Sequence, residues 1–300
     1  METELSGNNL KPLHLSVVIP NYNHGRYLEE RISSILKQLG PEDELILVDD
    51  ASTDNSVAII RKFQDPRLRL YQNTHNQGVV KTFHTGVHKA RGQFLFGTAA
   101  DDIIAPHFIE MALTAFAQDP RIELFFSDYS TFDPVQTYKM LPKAVGLQII
   151  SPRETLKLCR TTKFLLNGHT TVVKTKTFWH YGGLDEKLGP FSDWFLWHSI
   201  AFQEIIAYEP QVLAYHRIDK NNFSRVHNSA DIRQALLLKL SLMEMPLLKR
   251  FFCKSTLLYP FVRKNLIWAL KHPCLWKVFA YTICMSTLKR WRLSLTKRIA

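Results

Sequence analysis

ELILVDD, residues 44–50, is an apolar run that closes on two aspartates, and QFLFGTAADD, residues 93–102, repeats the arrangement. Each run is short and strongly apolar, which is typical of a buried β-strand. Both aspartate pairs therefore follow the carboxyl end of a predicted strand. In an open α/β sheet, ligands bind in the crevice at that edge.

Strands and helices alternate on both sides of these runs. Apolar runs predict strands at 15–20, 44–48, 67–73, 93–98 and 122–128, and helical spacing predicts helices at 26–40, 55–63, 80–90 and from Pro106. This alternation predicts an α/β fold with a mostly parallel sheet flanked by helices. The pattern is less regular further on, where it predicts helices at 152–165 and 192–203 and strands at 169–174 and 211–217.

The composition fits a folded protein that stays inside the cell. Hydrophobic residues make up 46% of the 300 residues, which is ample for a core. The polar segment 1–14 lacks the apolar stretch of a signal peptide. The four cysteines show no CxxC spacing. We therefore expect reduced thiols and a cytoplasmic location.

The basic charge of the chain is concentrated in its tail. Residues 231–300 carry 14 Lys or Arg against two acidic residues, whereas the net charge of the whole chain is +11. Residues 1–230 are therefore close to neutral. Aromatic residues interleaved with Lys and Arg on amphipathic helices suit a membrane interface. We predict that this tail contacts the inner face of a membrane, with a helical cap packed on the core as the alternative.

The aspartate pairs limit which ligands the sheet edge can hold. Carboxylates gathered there would repel a phosphate unless a divalent cation lay between them. The pattern therefore indicates a nucleotide or sugar nucleotide held through a metal. No GxGxxG follows a strand and no G-x-S-x-G is present, so neither a dinucleotide oxidoreductase nor an α/β-hydrolase is indicated. His84 and His88 lack the Glu of a zinc motif and are expected to be helix-surface residues.

Six segments in order resemble one enzyme family. They are SVVIPNYNHGRYLEERISSILKQ, LILVDDASTDNS, NTHNQGV, ARGQFLFGTAADD, YGGLDEKLGPFSDWFLW and AYHRIDKNNFS. Together they resemble the inverting family-two glycosyltransferases, which have the GT-A nucleotide-diphospho-sugar transferase fold. The resemblance runs from Leu15 to about Ser224. It implies a donor-binding half at 15–128 and an acceptor-binding half of the same domain at 129–230.

The resemblance assigns residues to the nucleotide donor. It implies that Pro20 and Tyr22 lie against the base and that Asp50 accepts a hydrogen bond from the base, as a carboxylate can from an imide N–H. For both Asp49 and Asp50 the alternative is capping of the following turn. The segment at 214–217 is similar to the family's YRxH element, so Arg217 is expected near the donor diphosphate.

The family's usual Arg-Asn pair near residue 83 is missing, and the segment offers Lys81 for the diphosphate instead. The position two residues after Arg217, where the family has His, is Asp219. Both departures put the expected contacts with the diphosphate in question.

AADD, residues 99–102, occupies the position of the family's DxD motif. The usual first acid is Ala99, an arrangement similar to the spore-coat polysaccharide glycosyltransferase type. It implies that Asp102 ligates Mn²⁺ or Mg²⁺ and that Asp101 contacts the donor ribose or sugar. Diphosphate and water can supply most of about six oxygen ligands. With one protein carboxylate, we expect weak metal binding when the donor is absent.

Asp193, in FSDWFLW, occupies the general-base position of the family. One carboxylate must take the proton of the acceptor hydroxyl as its oxygen attacks the anomeric carbon. The alternative is that Asp193 only caps the following helix. On the acceptor side, the resemblance implies that Gly183 belongs to a loop that shapes the acceptor pocket. Trp194 is expected either to stack on a sugar or, as helical spacing favours, to fill the core.

The sequence therefore predicts a metal-dependent inverting glycosyltransferase. Its donor would be a nucleotide-diphospho-sugar of the UDP, dTDP or GDP type, and its acceptor a glycan or lipid-linked intermediate of surface polysaccharide or lipopolysaccharide synthesis. A nucleic-acid partner is not expected, because a phospholipid surface explains the basic tail more simply. The alternative, motivated by Ala99, is a catalytically weak sugar-nucleotide-binding scaffold in a membrane assembly.

Overall fold

The computed structural model describes residues 14–132, 135–161, 166 and 168–218. In this part of the chain, one sheet of ten strands is covered by helices on both faces. The predictions for the tail at 231–300 and for residues 1–13 lie outside the described residues. None of the described helices is long and apolar enough to cross a bilayer.

The strands of the sheet are short except near its centre. They are β1 (Leu15–Asn21), β2 (Glu44–Asp49), β3 (Leu68–Gln72), β4 (Phe94–Gly97), β5 (Ile103–Ile104), β6 (Ile122–Thr131), β7 (Thr137–Tyr138), β8 (Gln148–Ile150), β9 (Val172–Lys174) and β10 (Ile205–His216).

The helices alternate with strands as predicted from β1 to β4 and less regularly further on. They are α1 (Gly25–Leu36), α2 (Ser56–Ile60), α3 (Val79–Lys89), α4 (Phe108–Gln118), α5 (Pro152–Thr161), α6 (Thr175–His180) and α7 (Ser192–Ala201), with 3-10 turns at Gly168–Thr170 and Glu186–Phe191.

The sheet is parallel in its first half and mixed in its second. Its order is β3-β2-β1-β4-β9-β6-β10-β5, with β7 beside β6 and β8 beside β10. Strands β3, β2, β1 and β4 are parallel, as predicted, and so are β6 and β10. However, β9 runs antiparallel to both β4 and β6, and β5, β7 and β8 also pair antiparallel. The expected mostly parallel sheet thus holds for the donor half only.

Alternating side chains of the central strands build one core on each face of the sheet. Val17 and Ile19 of β1 pack into a cluster with α1, α2 and α4, whereas Val18 packs into a second cluster with α3, α6 and α7. This is the two-residue period of a strand that is buried on both faces. Gly86 allows α3 to lie close to the sheet, because a Cβ there would be 2.4 Å from Val18 Cγ1.

Candidate active site

The carboxyl ends of β1 and β2 carry the residues predicted to meet the base. Pro20 is the penultimate residue of β1, and its Cα is paired with that of Val48 in β2. Tyr22 follows β1 directly and is 43% exposed. An exposed aromatic ring at the ligand-binding edge of a sheet leaves a face on which a base can stack.

Asp49 caps the turn after β2. Its carboxylate accepts hydrogen bonds from Asn21 Nδ2 at 2.8 Å and from the Ser52 backbone N–H at 3.0 Å. The turn-capping alternative is therefore the one that the structure shows for Asp49.

Asp50 organises the loop that leads into α3. Its buried carboxylate accepts hydrogen bonds from Asn73 Nδ2 at 2.8 Å and from the backbone N–H groups of Gln77 and Gly78, each at 2.9 Å. Burial alone would raise the pKa of Asp50, but these hydrogen bonds and one from Thr82 outweigh it and lower the pKa. These four hydrogen bonds fill the roughly four acceptor positions of a carboxylate, so a base N–H would have to replace one of them.

Asp101 and Asp102 are both buried after β4. Asp102 Oδ1 accepts hydrogen bonds from His216 Nδ1 at 2.9 Å and from the Arg217 backbone N–H at 3.0 Å. Burial would raise the pKa of Asp102, but the hydrogen bonds from His216 and from the Arg217 backbone outweigh it and lower the pKa. Burial and the neighbouring Asp102 raise the pKa of Asp101.

Arg217 is held between two aromatic rings. Its guanidinium carbon lies 4.5 Å from the ring centres of both Tyr27 and Phe132, within the range of cation–π attraction. Its Nε donates to the Asp101 backbone carbonyl at 3.2 Å. The stacking fixes the plane of the guanidinium beside the aspartate pair, which suits bidentate contact with a phosphate.

A buried arginine lies behind the aspartate pair. Arg31 of α1 is 1% exposed, and its guanidinium donates to Thr98 Oγ1. Burial lowers the pKa of Arg31 to about 10 although Asp102 and Asp101 favour the charged form, so the side chain stays protonated at neutral pH. Its positive charge offsets part of the repulsion between the two carboxylates.

A carboxylate and two imidazoles meet at the carboxyl end of β10. One potential ligand atom from each of Asp102, His169 and His216 lies within 4.8 Å of the others. The two imidazole rings are nearly parallel, with centres 4.9 Å apart. Burial lowers the pKa of His169 to about 4, so this imidazole is neutral at neutral pH. Neutral imidazole and carboxylate are ligands of divalent first-row metals, so these residues fit the predicted ion.

Asp193 lies in the first turn of α7, close to the 3-10 turn at Gly168–Thr170. Its Oδ1 accepts from the Trp194 backbone N–H at 2.7 Å, and Gly168 approaches so closely that a Cβ there would be 2.6 Å from Asp193 Oδ2. The N-cap residue of α7 is Phe191, so the expected capping role is not realised. Burial raises the pKa of Asp193 in spite of hydrogen bonds from backbone N–H groups. A raised pKa makes the carboxylate a stronger base.

The acceptor-side tryptophan is part of the core. Trp194 is 9% exposed, and its ring packs against Phe191 and edge-on against His198. This agrees with the core-packing alternative.

The acceptor loop contacts the first turns of α3. Lys81 Nζ lies 3.3 Å from Glu186 Oε1 at the surface. Gly183 has φ +64°, and a Cβ there would be 3.1 Å from His84 Nε2. That nitrogen accepts from the Leu184 backbone N–H at 3.1 Å, so His84 supports the loop and is half-buried, whereas an exposed position was expected. The described contacts thus join Lys81 to the acceptor loop.

The sequence matches the family model described as Glycosyl transferase family 2 over residues 16–182, more than half of the chain. The chain belongs to this family. Its identity as a glycosyltransferase, and hence as an enzyme, agrees with the prediction. Asp193 and His216 lie beyond the matched segment.

Curated relatives of this glycosyltransferase share part of its length. Glycosyltransferase GlyG of Streptococcus pneumoniae serotype 4 is 36% identical over 121 residues, which are 40% of each chain. The UDP-Glc:alpha-D-GlcNAc-diphosphoundecaprenol beta-1,3-glucosyltransferase WfgD of Escherichia coli is 28% identical over 193 residues, which are 62% of this chain and 69% of the relative.

Solved structures share its fold. The S. aureus TarS 1–349 complex with UDP-GlcNAc superposes with a TM-score of 0.66 at 16% identity, over 90% of this chain and 81% of TarS. The mannosyltransferase PcManGT from Pyrobaculum calidifontis, in complex with GDP-Man and Mn²⁺, gives 0.53 at 18% identity, over 95% of this chain and 80% of its own. The predicted GT-A fold is thereby confirmed.

Three residues that lie in the candidate site were not identified from the sequence. Arg31 carried a usable signal, because it lies three residues after Leu28 and four before Ile35 on the apolar face of α1. The sequence around Gly168 and His169 gave no such signal. A strand was predicted from residue 169, but Gly168–Thr170 forms a 3-10 turn. Their importance comes from residues that are distant in sequence.

Proposed function

We propose that this glycosyltransferase moves a sugar from a nucleotide diphosphate to a hydroxyl of a glycan or lipid-linked acceptor, with inversion and with the help of a divalent metal. The observation that carries the proposal is that the 3-10 turn at Gly168–Thr170 contacts both Asp102 and Asp193 through its neighbouring residues. Asp102 lies in a cluster with His169, and the adjacent Gly168 contacts Asp193. A donor-side carboxylate and a carboxylate of raised pKa thus lie on the two sides of one turn.

The donor is held by residues at the carboxyl ends of β1, β2 and β4. The exposed ring of Tyr22, beside Pro20, stacks on the base, and Asp50 accepts a base N–H. Asp101 accepts a hydroxyl of the ribose or sugar. The clamped Arg217 contacts the diphosphate, where its fork matches two phosphate oxygens. Lys81 is a further cation for the diphosphate if the ion pair with Glu186 opens.

Asp193 takes the acceptor proton. Its raised pKa favours proton uptake, and its backbone contacts fix the orientation of its carboxylate. As the proton moves to Asp193, the acceptor oxygen attacks the anomeric carbon and the nucleotide diphosphate leaves from the opposite side, which inverts the anomeric centre. Asp102 would hold the metal. When bound, Mn²⁺ or Mg²⁺ neutralises the charge that develops on the leaving diphosphate.

The lipid-linked acceptor is supported by two observations. The name of WfgD describes transfer to a sugar on a diphosphoundecaprenol lipid. In this chain, residues 231–300 carry the excess positive charge, which suits an anionic cytoplasmic membrane face. Cosedimentation with vesicles that contain anionic lipid, compared with vesicles of zwitterionic lipid alone, tests the membrane contact. Equal and low binding to both would contradict it.

The test of the function is a thermal-shift panel on the full chain. UDP, GDP and dTDP are each added with Mn²⁺, Mg²⁺ or EDTA. A ligand at about 100 times its dissociation constant stabilises a fold by ~2.7 kcal/mol. We expect one diphosphate to raise the melting temperature in a metal-dependent way, and the Tyr22→Ala variant to reduce that shift. Tyr138→Ala, at a similarly exposed tyrosine of β7, is the control.

The results of the panel distinguish a working donor site from an absent one and from a catalytically weak scaffold. A shift with one diphosphate identifies the donor base, and sugar-nucleotide turnover is then assayed. No shift with any nucleotide would contradict the donor site. A shift without turnover on any acceptor would favour the catalytically weak scaffold.

A further inference from the structure

We infer that Asp102, His169 and His216 form a protein-held site for a first-row transition metal, which binds the ion before the nucleotide arrives. The inference deepens the proposed function, because it names the ligands and the class of the metal. It differs from the expectation of a single carboxylate ligand with weak affinity in the absence of the donor.

The spacing of the three side chains suits one shared ion. Ligand bonds of about 2.1 Å place the atoms of one coordination shell at most ~4.2 Å apart. The candidate atoms of Asp102, His169 and His216 lie within 4.8 Å of one another. Only a small inward movement would bring them to a common ion.

His169 supplies the independent evidence for a ligand. Its Nε2 is buried and has no hydrogen-bond partner within the described residues. Such an atom is costly, because a buried polar group normally pairs with protein or ordered water. It stands beside Asp102 and His216, and a metal bond would satisfy it.

The surroundings hold the other two ligands in place. Asp102 Oδ1 accepts from both His216 Nδ1 and the Arg217 backbone N–H. The bond from the Arg217 backbone comes from outside the three proposed ligands, and outer hydrogen bonds of this kind orient metal ligands and raise affinity. His169 packs edge-on against Tyr129, with ring centres 4.4 Å apart, and stacks on His216. The cluster is therefore largely ordered without an ion.

The ligand types select the metal. Mg²⁺ prefers oxygen ligands and retains several waters, whereas imidazole suits Fe²⁺ and Zn²⁺, and the affinity of sites with nitrogen and oxygen ligands rises from Mn²⁺ through Fe²⁺ to Co²⁺. Two imidazoles and one carboxylate leave coordination positions open for diphosphate oxygens. The site should therefore bind Mn²⁺ or Zn²⁺ in preference to Mg²⁺.

The experiment measures Mn²⁺ binding to the full chain without nucleotide, from the electron paramagnetic resonance signal of the free ion. The wild type should bind one Mn²⁺ per chain. His169→Gln should weaken that binding at least about tenfold, since even outer-shell losses reach that range. His88→Gln, at an exposed histidine of α3 that is stacked on Trp179, should bind as the wild type does. A tenfold excess of Mg²⁺ over Mn²⁺ should not displace the ion.

Three results would overturn the inference. They are Mn²⁺ binding only when nucleotide is present, equal affinity in His169→Gln and the wild type, and displacement of Mn²⁺ by a tenfold excess of Mg²⁺. If His169→Gln does not fold, electron-spin-echo modulation of Mn²⁺ in the wild type counts the coordinating nitrogens. Two nitrogens support the inference, and one or none contradicts it.

The proposed function and this inference can fail separately. A nucleotide-dependent thermal shift with unaltered Mn²⁺ binding in His169→Gln would leave the function standing and remove the inference. Binding of Mn²⁺ through two histidine nitrogens without any nucleotide shift would do the reverse.

Discussion

Two neighbouring aspartates differ in ionisation because their partners differ. Asp102 accepts hydrogen bonds from His216 and from the Arg217 backbone, and its pKa is lowered. Burial and the charge of Asp102 raise the pKa of Asp101. As the pH falls, Asp101 therefore takes up a proton first, and Asp102 keeps the negative charge that a metal ligand needs.

At Asp193, replacement by Asn should remove the base. We expect kcat to fall about 10²–10⁴-fold, the usual contribution of general-base catalysis, with little change in donor affinity. Because its pKa is raised, the activity of the wild type should fall, as the pH is lowered, at a higher pH than an ordinary Asp would give. Initial rates across pH and donor titrations measure both effects. Glu110→Gln, at an exposed residue of α4, is the control, and normal turnover by Asp193→Asn would refute the assignment.

Sequence patterns identified the candidate site residues that directly follow strands. They did not identify the residues that only tertiary contacts bring to the site. Asp50 and Asp102 were found because an acid after an apolar run has a defined position in an α/β sheet. Trp194 was correctly expected in the core from helical spacing. His169 could not be found, because its neighbours Asp102 and His216 are brought to it by the pairing of β9 with β4 and β6 and of β10 with β5 and β6.

At the scale of elements, the 3-10 turn at Gly168–Thr170 touches both sides of the site. Gly168 contacts Asp193, and His169 stacks on His216. A small element therefore fixes the distance between the base and the donor-side carboxylates. Effective catalysis depends on such positioning to within about 1 Å.

Gly168→Ala should displace the base without unfolding the chain. Its Cβ would lie 2.6 Å from Asp193 Oδ2, far inside normal contact. We expect kcat to fall by up to about 10²-fold while donor affinity is kept. Gly40→Ala is a matched control, because its Cβ would lie 3.3 Å from Asp43 Oδ2 at a position outside the site. Equal kcat values for the two variants would contradict the positioning role.

The loop between β3 and α3 depends on a single backbone conformation. Gly78 has φ +87° and ψ 155°, a region that is open almost only to glycine, and its N–H donates to Asp50 Oδ2. Gly78→Ala should therefore cost about 1–3 kcal/mol of unfolding free energy and weaken donor binding. Urea denaturation and nucleotide titration measure the two effects. An unchanged urea midpoint would show that the loop adopts another backbone conformation without loss of stability.

The buried parallel strands of the donor half were predicted well, whereas most of the short antiparallel strands were not. The runs that form β1, β2, β4 and β6 were identified because buried parallel strands are continuously apolar. Strand β9 lies within the strand predicted at 169–174, and β10 was predicted only from residue 211. Strands β5, β7 and β8 were not predicted and have two or three residues each. Segments this short show no hydrophobic periodicity. They are held by pairing with strands that are distant in sequence, which sequence patterns do not encode.

Over the whole molecule, polar clusters occupy both edges of the parallel sheet. The site lies at the carboxyl ends of the strands. At the other edge, Glu44 Oε1 accepts from Ser16 Oγ and from the Arg91 backbone N–H, each at 2.7 Å, and Glu44 pairs with Arg69. This second cluster joins β1, β2, β3 and the turn before β4, so we expect it to serve stability and not binding.

Glu44→Gln should destabilise the fold without changing donor binding. Burial would raise the pKa of Glu44, but its hydrogen bonds and Arg69 outweigh it and lower the pKa. Its stabilising effect is therefore complete above the unfolded pKa of about 4.5 and is lost as the pH falls through the folded value. We expect a loss of about 1–3 kcal/mol at pH 7 that shrinks towards pH 3, measured by urea denaturation. Glu29→Gln, at an exposed residue of α1, is the control, and a pH-independent loss would contradict the charge argument.

The position of β9 has a consequence for synthesis of the chain. Residues 172–174 lie between β4 and β6, although both of those strands leave the ribosome earlier. The parallel half β1 to β4 can pair as it emerges, whereas the apolar edges of β4 and β6 must wait for a strand that follows β6 by some forty residues. Exposed strand edges of this kind are where nascent proteins aggregate. Translation should therefore pass through a chaperone-dependent interval that ends when β9 inserts.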